Sequence, residues 1–157
     1  MVRNHVGICD VSTLGKIDVQ GPDSGRFLDF VYTNTMSRVP IGKTRYGLMM
    51  REGGFVMDDG TCTRLGDTHF LLSTTTAAAG QVMAHLEFVA QCLVPEWDVQ
   101  LASVSDHWAQ IAIAGPKSRA LLEGCLSEHI SDADLPYMGM KSVQVFASIS
   151  DRKMNVR

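Results

Sequence analysis

Apolar residues alternate with polar ones around Ile17 and Val19, as a half-buried strand requires, and Gly21-Pro22 ends the run. Beyond it Phe27, Leu28 and Val31 fall on one helical face, with Asp23 and Ser24 as capping residues, which predicts a helix near 22–32. The same grammar returns later. Ile111 to Ala114 runs into Gly115-Pro116 and then the apolar pair Leu121-Leu122, predicting a second strand and a helix near 116–126. The two stretches, IDVQGPDSGRFLDFV and IAIAGPKSRALLEGC, read as a weak internal repeat of one strand-turn-helix unit, too short and too widely spaced for a solenoid.

Between them the pattern is that of antiparallel strands. Tyr46 to Met50 is apolar, Glu52-Gly53-Gly54 supplies a turn, and Phe55-Val56-Met57 follows. Residues 61–65 and 69–74 flank Gly66-Asp67 and read as a hairpin. A helix over 76–93 is predicted from Val82, Leu86, Val89 and Leu93, with a cap from Thr74, Thr75 or Thr76 and a stop at Pro95. A further strand pair is expected at 98–104 and 108–114, and a last strand at 143–149. The fold class that follows is α+β, one unit built on a mainly antiparallel sheet with flanking helices.

Composition adds little to that picture. With 45% hydrophobic and 20% charged residues, the chain has enough apolar mass for a domain-sized core. Its net charge of -3 and the absence of basic runs argue against a nucleic-acid partner. No apolar run reaches the ~20 residues that span a bilayer, and the first residues do not read as a signal peptide, so the expected setting is cytoplasmic, away from membranes. Cys9, Cys62, Cys92 and Cys125 are too widely spaced for a zinc motif and read as free thiols in a reducing compartment. The five histidines never fall at metal-ligand spacing, so no metal site is expected.

The segment with most chemistry is Gly53 to Gly60, where Asp58 and Asp59 follow a short apolar run. On a strand their side chains point to opposite faces, so only one of them serves a given pocket. Taken by itself, Asp-Gly is a common hairpin-turn pair, and the segment reads as a solvated turn.

A family resemblance changes this weighting. Gly7 to Ser12 resembles a GxxDVS signature, Lys43 to Met49 resembles the segment that precedes a GG-x-x-x-DD motif, and that motif stands here as Gly53, Gly54, Asp58 and Asp59. Val104-Ser105 to Trp108 and Ala114 to Ser118 continue the match. Together they are similar to the aminomethyltransferase family, which includes the glycine-cleavage T-protein. Asp10 to Lys16, Tyr32-Thr33-Asn34 and Thr74-Thr75-Thr76 resemble most the C-terminal folate domain of sarcosine oxidase alpha subunits. The resemblance implies a tetrahydrofolate site that captures a one-carbon unit released by amine oxidation. It assigns catalysis and folate contact to Asp59, an aromatic pocket wall to Tyr46, and wall positions to Thr61 and Thr63, where the family's residue types differ.

The family pattern continues into a segment like SFSGE and a second half with a folate-gripping Glu and an Arg, which residues 151–157 do not continue. The expectation is that residues 1–157 form the N-terminal part of such a domain, inactive alone, with the FAD- and NAD-binding parts of an oxidase outside it. Its expected partners are folate and either other subunits of an oxidase-like complex or a second copy of itself. The alternative is a folate-binding or assembly module that a partner chain completes and that catalyses nothing.

Overall fold

The computed structural model describes residues 2–145 and, as backbone, 154–156. In chain order its elements are β1 (Gly7–Asp10), β2 (Gly15–Gln20), α1 (Ser24–Val31), β3 (Lys43–Met50), β4 (Val56–Gly66), β5 (His69–Thr74), α2 (Ala79–Phe88), β6 (Gln100–Ser103), β7 (Ile111–Ala114), α3 (Ser118–Glu123), β8 (Val143–Val145) and β9 (Met154–Val156). They form two compact units, one of Ser12–Gln110 and one of Met1–Val11 with Ile111–Arg157, where the sequence pattern predicts one. Every strand pairing among the described residues is antiparallel, so the α+β class expected from the sequence holds.

In the larger unit five strands lie in the order β3-β4-β5-β2-β6. The period-2 alternation sends Ile17, Val19, Met49, Cys62, Phe70 and Leu72 to one face, where all are buried. Onto that face pack Phe27, Leu28 and Val31 of α1 and Val82 and Leu86 of α2. Val89 joins them from the π-helical turn Val89–Leu93 that extends α2. Burying one such side chain stabilises the fold by about 1.5–3 kcal/mol, and this single cluster is the unit's main source of stability. The opposite face of the sheet carries the polar residues considered in the next subsection.

The smaller unit pairs β1 with β7, from Gly7 opposite Ala114 to Asp10 opposite Ile111, and pairs β8 with β9. Its β7-turn-α3 segment matches the β2-turn-α1 segment of the larger unit in backbone detail. Gly21 and Gly115 have φ of 123° and 119°, a region open to glycine and strained for other residues. The next-but-two amides close the same turn, Ser24 N–H to Gly21 C=O at 3.0 Å and Ser118 N–H to Gly115 C=O at 3.1 Å. Asp23 N–H donates to Asp98 C=O at 3.2 Å, and Lys117 N–H to His5 C=O at 3.2 Å. The weak repeat in the sequence is a repeat of structure.

Several local expectations are corrected. Residues 98–104 and 108–114 do not form a strand pair: β6 pairs with β2 and β7 with β1. No threonine caps α2, because its N-cap is Ala78 and Thr75 is engaged elsewhere. Asp23 holds the N-cap position of α1, yet its carboxylate accepts from Asp98 N–H at 2.9 Å and pairs with Arg26 at 3.0 Å instead of capping. The third helix is shorter than 116–126, since the turn through Ser118 takes its first residues. Of the strand expected at 143–149, residues 146–149 lie outside the described residues.

The thiols divide cleanly. Cys62 is buried in the sheet core, and burial pushes its thiol up to about 12, whereas Cys9, Cys92 and Cys125 are exposed. Alkylation of the native chain at mildly alkaline pH is expected to modify the three exposed cysteines and spare Cys62 until denaturant is added, which peptide mass spectrometry reads directly. A backbone prediction comes from Gly60, where a Cβ would collide with the Ser73 carbonyl oxygen of β5. Gly60→Ala is expected to cost about 1–3 kcal/mol, seen as a lower urea midpoint, because the obstacle is a ladder carbonyl that cannot rotate away.

Candidate functional site

The Asp58-Asp59-Gly60 segment lies inside β4, in mid-strand, and not in a solvated turn as composition alone suggests. The reason is tertiary. Asp58 lies on the core face, 6% exposed, and its carboxylate accepts from the Thr75 hydroxyl at 2.7 Å and from Thr75 N–H at 3.3 Å. Gly60 is there for the close approach of β5, not to bend the chain. The hairpin turn sits earlier, where Gly54 has φ of 81° and Arg51 N–H donates to Phe55 C=O at 2.8 Å.

A bulge sets the phase of the pair. Met49 lies opposite Asp58 and Met50 opposite Val56, so Met57 has no residue facing it across the ladder. From Asp58 onward the register is regular: Leu48 faces Asp59, Gly47 faces Gly60 and Tyr46 faces Thr61. With Asp58 turned inward, Asp59, Thr61 and Thr63 all turn to the opposite, open face.

On that face Tyr46 and Asp59 are diagonal neighbours, and the Tyr46 hydroxyl donates a hydrogen bond to Asp59 Oδ2. The accepting carboxylate, through this bond and its charge, holds the Tyr46 phenol above the usual tyrosine value. Thr63 lies one step along, its hydroxyl 2.8 Å from that of Thr44 on β3. Laterally the register runs Tyr46, Thr61, Ser73, Lys16, one residue per strand from β3 to β2. Lys16 is 3% exposed, and its ammonium donates to Ser12 C=O at 2.7 Å.

All four residues singled out in the sequence, Tyr46, Asp59, Thr61 and Thr63, therefore share one sheet face. Thr44, Ser73 and Lys16 share that face too: Thr44 faces Thr63 and Ser73 faces Thr61 across the ladder, while Lys16 lies one strand farther on. Thr75, one of the three cap candidates, bonds instead to Asp58, 17 residues away in the chain. The donor set suits a flat heterocycle bearing N–H groups: one carboxylate oxygen held by a phenol, the other without a protein partner among the described residues, and an exposed aromatic ring beside them. Among the described residues no cluster of three or more His, Cys, Asp or Glu side chains is placed to hold a metal ion. No helix among them is long and apolar enough to cross a membrane.

The two aspartates are expected to part in stability. Asp58→Ala strands the Thr75 donors beneath the sheet and is expected to cost about 1–3 kcal/mol in chemical denaturation. Asp59→Asn, on the open face, is expected to leave the denaturation midpoint close to that of the unmodified chain.

Residues 1–150 match the family model described as the GCVT N-terminal domain. The chain is 54% identical over 145 residues to the sarcosine oxidase subunit alpha of Rhizobium meliloti (strain 1021), covering 92% of this chain and 15% of that protein. It is 30% identical over 145 residues to the aminomethyltransferase of Staphylococcus haemolyticus (strain JCSC1435), covering 92% of this chain and 39% of that one. The crystal structure of the glycine cleavage system aminomethyltransferase T from Bartonella henselae superposes with a TM-score of 0.77 at 24% identity, over 92% of this chain and 39% of that one, and so shares its fold. The chain thus spans a sixth or less of the oxidase subunit and about two fifths of the transferases. With the model match running through nearly its whole length, the chain belongs to the GCVT N-terminal domain family.

Proposed function

We propose that the open sheet face of the larger unit forms part of a tetrahydrofolate site, and that the whole protein is a folate-dependent one-carbon transfer enzyme of the sarcosine oxidase alpha type. The observation that carries this reading is the placement of Asp59 beside Tyr46 on the face opposite the hydrophobic core. The two kinds of relative support it, one named for the oxidation of an amine and the other for aminomethyl transfer. The much higher identity to the oxidase subunit favours that branch, in which the one-carbon unit comes from sarcosine.

Tetrahydrofolate, when bound, supplies the nitrogens that take up the one-carbon unit. The chain's own residues prepare for that step. Asp59 Oδ1 accepts from a ring or bridge N–H and can hold a proton there, while Tyr46 offers its ring as a pocket wall. Thr61 and Thr63 line the strand beside them, with the Thr63 hydroxyl already engaged by Thr44.

A second reading, a binding or assembly module without catalysis, is favoured by the β1–β7 pair. Ile8 is 61% exposed and Ile111 59%, and the register places both on one face of that ribbon. Exposed apolar faces of this kind mark protein contacts, here with other subunits or with a second copy of the chain.

Calorimetric titration of the chain with tetrahydrofolate tests the folate reading. Saturable binding that Asp59→Asn weakens at least tenfold and Asp58→Asn leaves within about twofold, both variants being folded, is the expected result, since only Asp59 reaches the ligand. Equal losses from both substitutions would remove Asp59 from the site. In the longer protein, Asp59→Asn is expected to lower folate-dependent turnover about 100- to 10,000-fold, the usual contribution of an acid-base group.

A further inference from the structure

We infer that Tyr46 is a positioning residue for Asp59: its hydroxyl holds Oδ2 so that Oδ1 alone is presented to a ligand. The assignment of a ligand to that face rests on the folate reading above, but the positioning itself is a property of the ligand-free chain.

The geometry is specific. Tyr46 faces Thr61, and Asp59 faces Leu48, so phenol and carboxylate stand on one face at a diagonal, a separation that only a long side chain bridges. The bridge is made, from Tyr46 Oη to Asp59 Oδ2. Asp59 has no other hydrogen-bond partner among the described residues, so without Tyr46 its carboxylate would rotate freely at the sheet surface. Its neighbour Asp58 shows the contrast, with both oxygens committed to Thr75. A partly exposed carboxylate that must meet a ligand in one orientation loses rotamer freedom on binding, and a hydrogen bond formed beforehand removes part of that cost.

This division of labour differs from a simple pocket wall. A wall needs only the aromatic ring, so Tyr46→Phe would be silent. A positioning hydroxyl makes Tyr46→Phe and Asp59→Asn act as one unit, with the second substitution adding nothing to the first. Holding a charged oxygen also leaves a mark on the phenol itself, whose ionisation the adjacent carboxylate opposes.

The experiment uses the full chain labelled at the tyrosine ζ carbons, which separate Tyr32, Tyr46 and Tyr137 by NMR, with Tyr46→Phe identifying the Tyr46 signal. Over the alkaline range in which the chain stays folded, the Tyr46 phenol is expected to ionise above the ordinary tyrosine value. In Asp59→Asn its midpoint is expected to fall toward that value. A midpoint unmoved by Asp59→Asn overturns the proposal, whatever the chain binds. Calorimetry with tetrahydrofolate forms the second arm: Tyr46→Phe is expected to weaken binding about three- to tenfold, and to do so only where Asp59 is intact. Equal weakening in the Asp59→Asn background also overturns it, by reducing Tyr46 to a wall. Phenol coupling without any folate binding supports the positioning role and sinks the folate reading instead, so the two ideas fail separately.

Discussion

The carboxylate of Asp58, buried beneath the sheet and gripped by the hydroxyl and backbone N–H of Thr75, sets the phase of β4. Side chains on a strand alternate strictly, so turning Asp58 inward turns Asp59, Thr61 and Thr63 outward together. A slip of one residue would exchange the two sets, placing Cys62 and the core face in water and Asp59 in the hydrophobic cluster. The hydrophobic cluster and the Asp58–Thr75 bond both forbid that slip, from the same core face. The bulge at Met57 and the missing side chain at Gly60 are the local adjustments that let this register stand.

Burying an aspartate is costly unless its oxygens are satisfied, and here Thr75 satisfies them with two donors from one residue. Tyr32 is pushed far above the tyrosine range, first by its own burial, then by Cys62 and Asp58, and burial keeps Cys62 a thiol. The core beside Asp58 therefore contains a phenol and a thiol that remain neutral across the physiological range. The open face is built differently. Its Asp59 carboxyl group is partly exposed and bonded to one phenol, an arrangement that leaves an oxygen available to something outside the chain.

Features decided by near neighbours were legible in the sequence. The Gly-Pro turns after Val19 and Ile113 were read correctly, down to the repeat they form, because a positive-φ glycine followed by proline fixes the turn locally. The helical faces of α1 and of α2 through Val89 were legible for the same reason, whereas Leu93, expected on the second face, is exposed. What stayed hidden depends on partners far along the chain. Thr75 looks like a cap until Asp58 is seen beside it, and Asp58-Asp59-Gly60 looks like a turn until β5 is laid against Gly60. The strands β6 and β7, close in sequence, looked like partners although each pairs with a strand some 80 or more residues earlier. The four site residues themselves came from a family resemblance; period-2 alternation then explains why a face that holds Asp59 also holds Tyr46.

Core and open face are consequently served by two adjacent residues of the same type. Asp58 serves the register, and Asp59 inherits its direction from it. The coupling runs one way. Removing the Asp59 carboxylate leaves the β4 ladder and the core beneath it untouched, whereas loosening Asp58 frees the strand whose phase aims Asp59 and Thr61. Removing the Asp58 side chain thus lowers the stability of the unit, while a substitution at Asp59 alters the open face in an intact fold. The distinction follows from which side of the sheet each carboxylate occupies. It holds for any ligand that this face accepts, because the face is specified before the ligand arrives.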